Sequence, residues 1–201
     1  YWRAGVDVNL STATLGIGSA SASLLVALGA PVLGAVADRG SSKKRFLCLF
    51  AYLGVLTTGA LAIVGQGAWQ TAVVVYTLGL IGFSGANVFY DALLPDVCGE
   101  NEVDFVSGFG FSMGYLGGGL LFLLNVLMVL MPERFGLPDE SRAVQVGFLS
   151  VALWWGFFTV FTLLWVPETS VQQAAASQGS AWRAGFRQLR ETIGQIRKRR
   201  Q

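Results

Sequence analysis

Histidine is absent from the 201 residues. That removes the side chain used most often as a general base and as a metal ligand. Charge is scarce as well: Asp, Glu, Lys and Arg make up 13% of the chain, about half the ~25% of a soluble domain. The only cysteines, Cys48 and Cys98, form no C-x-x-C pair and read as free thiols. No Ser or Cys has a companion base that would make it a nucleophile. The glycine-rich run over 108–119 lacks the G-K-[ST] ending of a phosphate loop. No metal or cofactor is therefore expected. Net charge is +2, and no nucleic-acid partner is expected either.

What the chain has instead is oil. Hydrophobic residues make up 53% and the mean hydropathy is +0.57. From Leu10 to Ala37, Phe46 to Val64, Thr71 to Tyr90, Phe105 to Met131 and Val146 to Val166 there is no Asp, Glu, Lys or Arg. About 20 apolar residues suffice for a helix to cross a hydrocarbon core of ~30 Å. The sequence thus predicts an all-α membrane protein with spans at about 10–37, 46–65, 70–90, 105–131 and 146–166. Residues 1–167 form this bundle, and 168–201 form a polar linker. Within the first span, Pro31 removes a backbone hydrogen bond and predicts a kink. The fifth span is rich in Phe and Trp, which suits a lipid-facing helix. The chain opens on Tyr1-Trp2-Arg3 without Met and ends in a basic run, so it reads as the interior of a longer polypeptide.

Orientation follows from the stretch 34–46, GAVADRGSSKKRF. Lys and Arg gather on the cytoplasmic side of a membrane protein. With this basic loop inside, eleven of the fourteen Lys and Arg lie in inside segments. The acidic segment 91–104 and the tail fall on the same side. In the tail, Trp182, Phe186, Leu189, Ile193 and Ile196 recur at intervals of 4, 3, 4 and 3. This marks an amphipathic helix at about 180–200 with basic flanks. It would lie on the inner membrane surface or pack on a partner domain.

The loop Gly34-x-x-Ala37-Asp38-Arg39 followed by Lys43-Lys44-Arg45 resembles the signature between the second and third spans of major facilitator superfamily transporters. With FYDALLPDV (89–97) and NEVDFVSGFGFSMGYLGGGLLFLLN (101–125), the chain is similar to bacterial facilitators related to the vacuolar effluxer family of autophagy. The resemblance implies that the five spans are the second to sixth of an N-terminal six-helix half. The first span and the C-terminal six-helix half are then missing partners, and 168–201 begins the link between halves. Alternating access around a midplane site is implied, for a small solute, amino acids among the candidates, across the bacterial inner membrane. Two departures stand out. Ser41 and Ser42 replace the usual Gly and Arg of the loop. The span matching the family's fourth has no Arg, which counts against proton coupling through such a residue.

Candidate residues follow. Asp38 sits at a helix C-terminus, where the dipole disfavours an acid. The resemblance makes Gly34, Asp38, Arg39, Lys43 and Lys44 a cytoplasmic gating loop; an ordinary interfacial charge pair is the alternative. Asn87, Tyr90 and Asp91 near the end of the third span are candidates for a cavity or gate, or simply meet the interface. Tyr115 and Asn125 are weaker candidates in the fourth span. Gly110, Gly114 and Gly118 there form overlapping G-x-x-x-G pairs suited to helix packing. A secondary transporter competes with two other readings, a membrane-embedded enzyme and a non-transporting membrane subunit. The absence of His and of carboxylates inside any span speaks against the enzyme.

Overall fold

The computed structural model describes residues 8–39, 43–65 and 67–168. The amphipathic stretch expected at 180–200 and loop residues 40–42 lie outside the described residues.

Five long helices account for nearly all of the rest. They are α1 (Val8–Arg39), α2 (Lys43–Leu61), α3 (Trp69–Ala92), α4 (Val103–Leu130) and α5 (Glu140–Trp165). Each is long and apolar enough to cross a membrane. At about 1.5 Å per residue, the 19 residues of α2 extend for about 28 Å, close to a hydrocarbon core. The longer helices overrun it. A helix lies at each of the five expected runs, α2 stopping at Leu61 rather than 65.

Helix ends depart from the sequence reading at the basic loop. There α1 runs on to Arg39 and α2 already starts at Lys43. Asp38, Arg39, Lys43, Lys44 and Arg45 are therefore terminal helical residues, and the linker shrinks to 40–42. Charged groups at helix ends need not break the helix where the ends emerge into water. α1 also continues through Pro31 as a single helix.

Other ends have local causes. A 3₁₀ turn over Leu94–Asp96 with Pro95 in its first turn stops α3. Asp139 caps α5, its carboxylate accepting from the Arg142 N–H at 2.9 Å. Glycine at 136 takes the left-handed φ of 70° that closes the preceding 3₁₀ turn.

Polar side chains inside the spans find partners close by. The hydroxyls of Thr57, Thr77 and Thr159 donate to the carbonyls of Leu53, Val73 and Trp155, four residues back, at 2.7–2.8 Å. Hydrocarbon offers no water to satisfy such groups, so internal bonding is required.

Packing follows an order different from the sequence. α2 lies between α3 and α5; α1 packs on α3, and α4 on α5. The tightest interior lies toward the end that holds Lys43. There Phe89 is fully buried, stacked between Phe46 and Phe50 with ring centroids 5.1 and 5.9 Å away. Leu47, Ala51, Ala86 and Leu93 complete this core. Elsewhere the outer surface is apolar: Leu28, Leu56, Ile63, Phe122, Leu153 and Trp165 are each at least 60% exposed. In water so much apolar surface would be untenable; against lipid it costs nothing. On α5, Phe157, Phe161 and Trp165 are in successive ring contact; Phe157 and Trp165 are exposed, whereas Trp154, Trp155, Phe158 and Phe161 line a cavity, so the aromatic richness of this helix does not mark one lipid-facing side.

Candidate functional site

The ends of α1, α3 and α5 and the starts of α2 and α4 share one face of the bundle, here called the basic end. A small charged knot holds this face together. Lys43, the first residue of α2, points its ammonium at the Asp96 carboxylate beyond α3, at 2.9 Å. The two side chains are only 13% and 9% exposed. The backbone N–H of Lys43 donates to the Glu168 carboxylate beyond α5. An unpaired N–H in the first turn of a helix welcomes an anion. One residue thus ties three segments that are remote in sequence.

Of the expected gating residues, Lys43 is in this knot and Lys44 is half-buried beside it. The backbones of Gly34, Asp38 and Arg39 form the last turns of α1; the side chains of Asp38 and Arg39 lie outside the described residues. Sequence reasoning missed Asp96 and Glu168 as partners. A signal was present: an acidic segment without a single base, and a basic segment, both assigned to one side of the membrane.

Above the knot a cavity of about 840 Å³ runs between α3 and α4, floored by α2 and α5. No charged residue lines it. Asn87 and Tyr90 face it from α3, and Asn125 from α4. Asp91 and Tyr115 do not line it; Tyr115 is 80% exposed. Farther from the basic end a second cavity of about 500 Å³ adjoins it, and Thr58, Tyr76 and Asn125 border both. Two polar contacts fix helix pairs at this level. The Ser150 hydroxyl of α5 lies 2.9 Å from Asn125 Oδ1 and 2.8 Å from the Gly147 carbonyl; its single proton serves one acceptor at a time. Ser19 of α1 meets the Tyr76 hydroxyl of α3 at 3.4 Å.

The glycines of α4 behave differently from those of α2 and α3. A Cβ placed on Gly110, Gly114 or Gly118 would meet nothing within 4 Å among the described residues. The close helix contact lies elsewhere. A Cβ on Gly82 would stand 2.5 Å from the Gly54 nitrogen, and one on Gly54 would strike the Trp155 ring. No group of three or more His, Cys, Asp or Glu suited to a metal ion occurs among the described residues.

Five long apolar helices charged only toward their ends, internally bonded threonine hydroxyls and a lipid-type exterior define an integral membrane protein. The family described as "Vacuole effluxer Atg22 like" matches residues 4–104 and 100–201, and the chain belongs to that family. Among curated proteins, it is 39% identical over 159 residues to the uncharacterized MFS-type transporter YxiO of Bacillus subtilis, covering 79% of this chain and 37% of that one. An uncharacterized protein of Aquifex aeolicus is 30% identical over 148 residues, covering 74% and 35%. Autophagy-related protein 22-2 of Neosartorya fischeri is more distant, 29% identical over 91 residues, covering 44% and 15%. The chain spans about a third of the length of the first two relatives. No solved structure matches.

Proposed function

We propose that this chain is part of a secondary transporter that moves a small solute by alternating access. In this reading the basic end faces the cytoplasm of a bacterial cell, as the Lys and Arg bias favours. A second six-helix half forms the other wall of the pathway. The observation that carries the reading is the knot at Lys43. It fastens α2, the α3–α4 connection and the segment after α5 at one face, which is where a gate must close when the pathway opens outward. Asp38, Arg39 and Lys44 border the same face and complete the gate. The solute takes its contacts from uncharged groups on this half, Asn87, Tyr90 and Asn125 among them.

The test is uptake of a panel of labelled amino acids into proteoliposomes holding the full-length protein, with and without an imposed proton gradient. Asp38→Ala and Asp96→Asn should each lower uptake several-fold while membrane insertion stays normal. Unchanged uptake in both variants at equal protein levels refutes the gate.

A further inference from the structure

The face that holds the knot also carries an uncovered aromatic ridge. Phe105 and Phe109 open α4 and stack on each other, ring centroids 6.3 Å apart, yet they are 76% and 58% exposed. Asp104 adjoins Phe105, and Glu102 is the N-cap residue of the helix. Phe105 therefore stands at the level of these charges, where the helix leaves hydrocarbon and lipid tails no longer cover a ring. Val97, in the connection before α4, is exposed as well. An apolar patch at the water's edge calls for a protein neighbour.

The ridge has charge along one side. Asp104 lies about 100° round the helix from Phe105, and Glu100 and Glu102 are exposed just before it. Val106, the same angle round the other way, is uncharged and half-buried. Of the five carboxylates between 91 and 104, only Asp96 has a basic partner among the described residues.

The stretch 182–197 carries the complementary pattern. One position after Trp182, Phe186, Leu189 and Ile196 stand Arg183, Arg187, Arg190 and Arg197. At about 100° per residue, a helix sets all four bases along one flank of the apolar stripe. The opposite flank, one position before the stripe, reads Ala181, Gly185, Gln188, Thr192 and Gln195 and holds no charge. A helix lying on an anionic lipid surface gains from bases on both flanks. Bases on one flank match a partner that is acidic on one side.

The knot sets the two within reach. Glu168 accepts from the Lys43 N–H, and the Lys43 ammonium holds Asp96. The chain thus leaves α5 beside the α3–α4 connection, and α4 packs on the 3₁₀ turn that contains Asp96. From Glu168 to Trp182 the backbone can extend for up to about 50 Å, so it crosses this gap with slack.

We propose that residues 182–197 form a helix that docks on the start of α4. Its apolar stripe covers Phe105 and Phe109, and its arginines meet Glu100, Glu102 and Asp104. The docked helix latches the segment after α5 to the bundle. The contact lies within one chain, and the proposal stands whether or not the protein transports.

Disulfide trapping in membranes holding the full-length protein tests it. In a background freed of other cysteines, Phe105→Cys is paired with single cysteines placed in turn from 182 to 196. Cross-links within one chain should recur every three to four positions, strongest on the apolar stripe. Reversing the charge of the tail with Arg187→Glu and Arg190→Glu should lower the yield several-fold. Adding Glu102→Lys and Asp104→Lys to those two should restore it. Yields that are equal at every position, or indifferent to both charge reversals, overturn the proposal. No cross-link at any position also overturns it and leaves the tail to the lipid surface or to another partner. A disulfide between two chains does the same, since a second copy would then cover the ridge. If Phe105→Cys lowers membrane insertion, Val97→Cys takes its place with the same outcomes.

Discussion

Gly82 of α3 passes so near Gly54 of α2 that a methyl group added at 82 would stand 2.5 Å from the Gly54 nitrogen and 2.8 Å from the Phe50 carbonyl oxygen. Both obstacles are backbone and cannot swing aside. Gly82→Ala should therefore cost about 1–3 kcal/mol, the range for overpacking a tight interior. Gly16→Ala on α1 meets nothing within 4 Å and should be neutral or stabilising by up to about 1 kcal/mol. Thermal unfolding of the full-length protein in detergent checks both, and equal midpoints for the two variants would remove the claimed contact.

Lys43 and Asp96 form a mostly buried pair. Removing one partner strands the other charge, so Lys43→Met or Asp96→Asn alone should destabilise by about 1–3 kcal/mol. The double variant should lose less than the two single losses together. A thermodynamic cycle on these variants reads the coupling; strict additivity would mean that the pair does not interact.

The contact between Ser150 and Asn125 joins α5 to α4. Hydrogen bonds between membrane helices average about 0.6 kcal/mol, with a maximum near ~1.7. Ser150→Ala should thus lower stability by that small amount, and Asn125→Leu by more, since Asn125 also borders both cavities. A larger loss for Ser150→Ala than for Asn125→Leu would contradict this ordering.

Orientation has a direct check. Ser42→Cys in the full-length protein should react with an impermeant maleimide only in inside-out vesicles. Labelling in intact cells would turn the whole assembly over.

The helices were legible because five long uncharged runs leave no other fold in hydrocarbon. Their ends were less so: apolar run length finds the part inside the lipid, whereas α2 begins three residues earlier, at charged Lys43. The close approach at Gly54 and Gly82 was hidden because glycine count points to a helix and not to its neighbour. Six glycines drew notice to α4, yet Gly110, Gly114 and Gly118 face open space among the described residues, while the contact lies between α2 and α3. At the candidate site, Asn87, Tyr90 and Asn125 were readable as polar residues in costly places. Asp96 and Glu168 were not, since pairing across 53 and 125 positions leaves no periodic trace.

The reach of that last contact bears on biosynthesis. A ribosome adding about 5–20 residues per second makes Lys43 roughly 6 to 25 s before Glu168 exists to receive its amide proton. During that interval α2 can settle against α3, yet its opening turn stays unanswered, and α5 has still to arrive at the opposite flank. Completion of the fifth helix therefore acts as the closing stitch of the nascent bundle, and a ribosome stalled before Pro167 would leave an intermediate with that seam undone.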